Sequence, residues 1–306
     1  MLLSFGMLFS LAVSADESIN ILTINVRTSN GKDGENSWDN RKDFLVNIIQ
    51  KTADGKSSYD FIGCQEAEVD PRPEFNQVDY IVAKMPNYDS IWRSREKTNE
   101  RGESMLILWR KDRWRIDAED NGTFWLSDTP EAAGSKTEPN AAHPRCVTFG
   151  LFHEIKNGTQ TGQKIYVAST HFDHKSEEAR QKAAKQIMNW IANRRDQNAP
   201  LVIMGDLNCD EKSPVIKYMQ GHSVKFGDAE LKPPTSLVDT FRAANPDAAD
   251  VGTFNGFKEN AGKKRVDYIF ITKDMKTVSS KIIKTKRNGR WATDHCPVEA
   301  VIIKLF

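Results

Sequence analysis

Six strand-like stretches of this chain stop or start on acids, amides or histidines, and they are spread over almost its whole length. INILTINV (19 to 26) reaches Asn25, and YDFIGCQE runs into Gln65 and Glu66. KIYVAST (164 to 170) is followed by His171 and Asp173, and LVIMG by Asp206 and Asn208. Asp267 opens VDYIFIT (266 to 272), and Asp294 and His295 precede VEAVIIKL (298 to 305). Functional groups gather at strand ends because a rigid sheet positions them better than a free loop does. A fold that brings these six termini to one mouth makes a site.

The remaining patterns limit how that can happen. MLILWR (105 to 110) and CVTFGLFHEI (146 to 155) are strand-like in their β-branched and aromatic content. DNRKDFLVNIIQ (39 to 50) reads as a helix with Phe44, Ile48 and Ile49 on one face. SEEARQKAAKQIMNWIANRR (176 to 195) is the clearest helix. Ser176 can cap it, Glu177 and Glu178 suit its first turn, and Ala183, Ile187, Trp190 and Ile191 recur at helical spacing. Strands and helices mix without strict βαβ alternation, which favours an α/β sandwich with sheets inside and helices outside. One domain over residues 16 to 306 is expected, with the glycine- and proline-bearing segments 130 to 145 and 232 to 236 as long surface loops.

The first fifteen residues hold no charged side chain, and their apolar run closes on Val13-Ser14-Ala15, a small-x-small pattern. Residues 1 to 15 therefore read as a signal peptide cleaved near Ala15, giving a secreted or periplasmic protein. The run is shorter than the about 20 residues a bilayer span needs, so no transmembrane anchor is expected. Lys and Arg number 43 against 42 Asp and Glu, a formal charge of +1. Such balance gives no global pull toward nucleic acid or anionic membrane, and any basic surface has to be local. Cys64, Cys146, Cys209 and Cys296 are too few and scattered for a disulfide framework or a CxxC metal site.

Each polar strand end has an ordinary reading on its own. Asp206-Leu207-Asn208 can be a turn, Glu66 a solvated carboxylate, His171 a hydrogen-bonded core histidine, and Asp294-His295 a cap. Their coincidence carries more, because clustered carboxylates repel one another unless a cation or histidine pairs with them. Carboxylates and amide oxygens without thiolates suit a hard cation, Mg²⁺ or Mn²⁺. Histidines beside acids can hold a fixed tautomer against a phosphate. The chemistry this set can run is metal-assisted phosphoryl hydrolysis.

In their order along the chain, LTINVR, GCQEAE, STHFDH, MGDLN, VDYIF and TDHCPV resemble the endonuclease/exonuclease/phosphatase superfamily, the deoxyribonuclease-I-like fold. RGESMLILWRKDRW, GTFWLSDTPE, PRCVTFGLF, GTFNGF and NGRWATDHCPV resemble its secreted bacterial-type branch. The resemblance implies a four-layer α/β sandwich, two packed mixed β-sheets flanked by helices. It implies that Glu66 holds the metal with help from Asn25, and that Asp206 orients or deprotonates the attacking water. Asn208 and His171 then bind the scissile phosphate, with Arg145 as a further phosphate ligand, while Asp267 pairs with His295. Asp294 stands beside them as a metal-side or water-positioning carboxylate. A surface arginine is the alternative for Arg145.

The superfamily cuts many phosphate esters, so the fold names no substrate. The expected class is nucleic acid or a nucleotide, with no stable protein partner. KKR (263 to 265) and KTKRNGR (284 to 290) could supply a local basic rim, or could be solvated lysines on edge strands. Trp125, Phe254 and Phe257 could stack a base or sugar, or pack in core and loops. Two alternatives stand beside a nuclease or nucleotide phosphatase: a phospholipid or inositol-phosphate headgroup hydrolase, and a binding protein on a retired hydrolase fold.

Overall fold

The structure is a computed structural model that describes residues 18 to 305; the expected signal peptide, residues 1 to 15, lies outside the described residues. Two six-stranded mixed sheets pack face to face. The first contains β1 (Ile19–Asn25), β2 (Phe61–Val69), β3 (Tyr88–Ser94), β4 (Gly102–Arg110), and, from the far end of the chain, β13 (Met275–Ile282) and β16 (Val298–Lys304), in the order β13-β16-β1-β2-β4-β3. The second contains β5 (Trp114–Trp125), β6 (Cys146–Lys156), β7 (Thr159–His171), β8 (Leu201–Asp206), β11 (Val238–Asp239) and β12 (Asp267–Ile271), in the order β11-β12-β8-β7-β6-β5. Two small hairpins, β9 (Val224–Phe226) with β10 (Ala229–Leu231) and β14 (Lys286–Arg287) with β15 (Arg290–Trp291), lie apart. Each sheet has one parallel pair at its centre, β1 with β2 and β7 with β8.

Side-chain alternation builds the layers. Along β1, Leu22 and Ile24 face outward onto Leu45 and Ile49 of α1 (Trp38–Ile49) and Val78 and Ile81 of α2 (Gln77–Lys84). Ile21 faces inward. Along β8, Leu201 and Ile203 face Ile187, Met188 and Ile191 of α3 (Glu177–Asn193) and Val215 and Ile216 of α4 (Pro214–Met219), while Val202 and Met204 join Ile21, Phe61, Ile107, Ile269 and Ile302 between the sheets. A strand covered on both faces loses its polar alternation, which is why LVIMG reads as a continuous apolar run. Each such side chain contributes about 1.5 to 3 kcal/mol on burial. The result is the expected four-layer α/β sandwich, completed by α5 (Thr240–Ala244).

Ser176 caps α3, its hydroxyl accepting from the Ala179 N–H at 3.1 Å. The buried seam of α1 is Trp38, Leu45, Val46 and Ile49; Phe44 and Ile48, expected on the core face, are half-buried at its flank. Segment 130 to 145 is not a surface loop throughout: Thr137, Ala141 and Arg145 are buried, and Asp173 accepts the N–H groups of Ala142 and His143. All four cysteines are buried and unbridged. Among the described residues no helix is long and apolar enough to cross a membrane.

Candidate active site

Strand register sets the floor of the site. In the parallel pairs, Asn25 at the end of β1 lies beside Gln65, and His171 at the end of β7 lies beside Asp206 at the end of β8. Asp267 opens the antiparallel β12 directly opposite Asp206. Gly205 lets β7 and β8 close here. Its φ is 151°, and a Cβ on it would stand 1.9 Å from the Thr170 carbonyl oxygen. That is why the apolar run ends on Gly-Asp-Leu-Asn: the backbone approaches too closely for any other residue, and the next side chain is delivered to the mouth.

The loop before β16 brings Asp294 and His295 across. Thr293 Oγ1 donates to the Asn25 carbonyl at 2.7 Å. The buried Arg41 donates to the carbonyls of Val26 and Arg27 at 2.5 Å and of Ala292 at 3.3 Å, tying the end of β1 to that loop. Arg27, Glu66 and Asn208 all have positive φ, 57°, 59° and 48°. Non-glycine residues adopt this conformation rarely, and it concentrates at functional sites.

An open pocket of about 520 Å³ results, lined in part by Glu66, Arg145, His171, Asp206, Asn208, Asp294 and His295. Asn25 and Asp267 support it from below. Asn25 Nδ2 donates to Glu66 Oε1 at 2.8 Å and to Asp206 Oδ2 at 3.1 Å, while its Oδ1 accepts from the Arg27 N–H at 2.9 Å. Thr28 N–H donates to Glu66 Oε2 at 3.2 Å. Burial works against the charge of Glu66, but the Asn25 hydrogen bond, the His295 cation and the Thr28 N–H outweigh it and lower its pKa. Glu66 is thus held as a carboxylate.

Asp206 behaves oppositely. Burial, and the Asp267 charge, push its pKa up to about 7 against the pull of His295. Burial also raises Asp294, with Glu66 adding to it. His295 donates from Nδ1 to Asp267 Oδ2 at 2.8 Å, and its Nε2 lies 3.7 Å from Asp206 Oδ2. Although burial opposes its charge, Asp267, Asp206 and Asp294 together raise His295 well above the usual histidine range. Burial and the Arg145 cation lower His171 well below it.

Asn208 Nδ2 donates to the Phe172 carbonyl at 3.1 Å and so presents a donor to His171 Nε2, 3.0 Å away. That fixes His171 as the tautomer with hydrogen on Nδ1, a buried atom without a hydrogen-bond partner. Both Asn208 N–H groups are therefore engaged within the protein. Two groups of acidic and histidine side chains stand close enough to hold a metal ion, Glu66 with Glu103 and His171, and Asp206 with Asp267 and His295.

The opposite wall is basic. Arg145 is buried, with Nη2 3.2 Å from His174 Nδ1. Lys264, from the expected basic rim, also lines the pocket, as do Arg27, Arg95, Glu103, His143 and His174, which the sequence patterns do not single out. Asn25-Val26-Arg27, His143-Pro144-Arg145 and His171-x-x-His174 place three of them close to expected residues in sequence.

The expected basic rim is mostly elsewhere. Arg265 is buried against Asp239 and Glu211 and stacks 4.2 Å from the Tyr268 ring. Lys284 pairs with Asp250 and Arg290 with Glu35; Lys286 lies over Trp291 and Arg287 over Phe44. Among the two segments only Lys264 lines the pocket. Trp125 is buried, its indole N–H donating to the Arg95 carbonyl at 2.6 Å, so it offers no face to a base. Phe257 packs toward Arg41. Phe254 is 47% exposed at the pocket rim, edge-on to His295.

A four-layer sandwich with an acid, amide and histidine mouth defines a phosphoesterase. The chain belongs to the Endonuclease/Exonuclease/phosphatase family, whose model matches residues 22 to 295. A family protein from Bacteroides vulgatus has 26% identity and a TM-score of 0.77, covering 94% of this chain and 99% of its own. A mannosyl-6-phosphatase from Bacteroides thetaiotaomicron has 25% identity and a TM-score of 0.75, covering 93% and 99%. The fold is shared with a D. rerio TDP2 solved with a single-strand DNA product, at 15% identity, a TM-score of 0.63, and coverage of 94% and 99%. Comparison with curated protein sequences gives no match.

Proposed function

We propose that this protein is a metal-dependent hydrolase of small soluble phosphoesters, a sugar phosphate or nucleotide rather than a polymer. The observation that carries this is where the positive charge sits. Arg27, Arg95, Arg145 and Lys264 line a pocket of about 520 Å³, a size suited to a small ligand, whereas Arg265, Lys284 and Arg290 of the basic segments that a polymer would need are engaged with the protein's own acids. The likeness to a mannosyl-6-phosphatase supports the same reading. Phe254 at the rim favours nucleotides as a second substrate class, since an exposed ring can cover a base.

The donor set fits a hard divalent cation. Glu66 is held as a carboxylate, whereas burial raises Asp294 and Asp206, with the Glu66 charge adding to the first and the Asp267 charge to the second, a strain that a nearby dication relieves. Glu66 and Asp294, with Asn25, would hold Mg²⁺ or Mn²⁺, which supplies charge neutralisation at the phosphoryl oxygens. Asp206, with a pKa near the working pH, orients water and accepts its proton. His295, kept cationic by Asp267, donates to a phosphoryl oxygen as negative charge builds there. Arg145 binds the phosphate, and His171 does so with its hydrogen moved from Nδ1 to Nε2. Asn208 acts mainly by fixing the His171 ring, and reaches phosphate only by giving up one of its present bonds.

The test is a substrate panel of hexose phosphates, nucleoside monophosphates, inositol phosphates, sphingomyelin and oligonucleotides, with Mg²⁺, Mn²⁺ or EDTA. Turnover of sugar or nucleoside phosphates with kcat/KM at least tenfold above any oligonucleotide is expected. A preference for oligonucleotide or lipid overturns the small-substrate reading. Export is part of the proposal and rests on the uncharged apolar run before Val13-Ser14-Ala15. Amino-terminal sequencing of the native protein should begin near Asp16; an intact Met1 contradicts it.

A further inference from the structure

The basic wall of the pocket carries more donor capacity than the chain itself uses. Arg95 and Arg145 are 6% and 5% exposed, and both line the pocket. Arg95 holds Glu103 through Nη1 and Nη2, at 2.5 and 3.0 Å. Its Nε makes no hydrogen bond, with the Glu96 carboxylate 3.5 Å away. Arg145 engages only His174, through Nη2. Its Nε, 3.9 Å from Asp173 Oδ2, and its Nη1 make no hydrogen bond.

Of the neighbouring acids, Glu103 and Asp173 are already occupied, while Glu96 stands 3.5 Å from Arg95 Nε. Glu103 accepts both Arg95 donors, and Asp173 accepts backbone N–H groups of Ala142, His143, Lys175 and Ser176. A buried donor left without an acceptor costs about 1 to 3 kcal/mol, and more when charged. Two neighbouring guanidinium groups in that condition, facing one pocket, call for an anion that comes from outside.

We propose that Arg95 and Arg145 form a paired-guanidinium seat for a terminal phosphate, making the site selective for phosphomonoesters over phosphodiesters. This rests on the reading of the pocket as a phosphoester site. The donors without a hydrogen bond are Arg145 Nε and Nη1, and Arg95 Nε beside the Glu96 carboxylate. A phosphomonoester presents three non-bridging oxygens and a charge of about −1.5 to −2 at neutral pH. A diester has a single charge, two non-bridging oxygens, and a second ester group that turns a carbon substituent toward the cations. Arg145 is held by His174 and Arg95 by Glu103, so both planar forks are oriented before the phosphate arrives, which keeps the ordering cost of binding low.

The test compares wild type, Arg145→Lys, and the double variant Arg95→Gln/Glu103→Gln, which removes the Glu103 carboxylate together with its partner and leaves only the partly exposed Glu96 without one. Circular dichroism verifies the fold. With p-nitrophenyl phosphate and bis(p-nitrophenyl) phosphate as substrates, the monoester-to-diester ratio of kcat/KM should fall at least tenfold in both variants. Calorimetric affinity for inorganic phosphate should weaken at least tenfold. Ratios and affinities within twofold of wild type in folded variants overturn the proposal, as does a wild type that binds no phosphate. A wild type that turns over neither aryl ester nor any substrate of the panel above, but binds phosphate through these arginines, refutes the hydrolase reading and leaves the seat standing.

Discussion

Asp206 and Asp267 face each other directly across the β8–β12 ladder, and His295 bridges them, 2.8 Å from Asp267 on one side of its ring and 3.7 Å from Asp206 on the other. Two buried carboxylates at adjacent strand ends repel, and the ring between them is thereby kept protonated. The charge on His295 follows from the pairing of two strands.

Replacing Asp267 with Asn keeps the shape and removes the charge. His295 should lose its raised pKa, and kcat/KM should fall about 10²- to 10⁴-fold, the range that a positioned acid or base supplies. NMR titration of His295 in the metal-free protein separates this from a packing defect. Because the folded pKa is raised, the stabilisation it brings is complete below the ordinary histidine value of 6.5 and is lost as pH rises through the folded value. The stability gap between wild type and Asp267→Asn should therefore be widest below pH 6.5 and narrow only in alkali.

Asp206→Asn should show a pH dependence of its own. With its pKa raised from 3.8 to about 7, the folded chain keeps a proton that the unfolded chain loses between those values, so this residue makes wild-type stability fall as pH rises from 4 to 7. The variant is free of that loss. In EDTA its melting temperature should gain on wild type steadily across that window and level off beyond it, while activity is abolished. A constant offset at every pH contradicts the raised value.

Gly205→Ala should destabilise by about 2 to 4 kcal/mol, because the added Cβ meets the Thr170 carbonyl at 1.9 Å and β7 must move away from β8. Urea unfolding measures the cost. His171 and Asp206 end those two strands, so kcat should drop in the same variant beyond what the fraction unfolded explains.

Arg265 bears on fold rather than substrate. It is buried between Asp239 and Glu211; Arg242 still holds Glu211, so Arg265→Met strands the buried Asp239. A loss of about 3 to 5 kcal/mol in urea unfolding is expected. A change under 1 kcal/mol would show that water compensates the acid.

Much of this architecture was legible before the structure. Strands buried on both faces, such as β8, announce themselves as apolar runs, and α3 carried its cap and its periodicity together. The strands β3, β5 and β13 did not, because each is partly exposed and interrupted by charged or polar residues. At the site, Asn25, Glu66, His171, Asp206, Asn208, Asp267, Asp294 and His295 were found because they terminate or adjoin strands. Arg95 and Glu103 were missed because each meets the pocket from the β3–β4 hairpin, with only surface-like charge around it in sequence. The basic runs misled for the converse reason: a row of lysines and arginines looks the same whether it faces substrate or, as with Arg265 and Arg290, its own acids.

The most direct measurement is phosphate release from a hexose phosphate by wild type, Glu66→Gln and His295→Ala, each assayed with Mg²⁺ and with EDTA. Turnover that needs the metal and falls at least 10²-fold in both folded variants is the expected result. Turnover that survives EDTA, or that either variant retains, contradicts the assignment of this pocket as a metal-dependent phosphoesterase site.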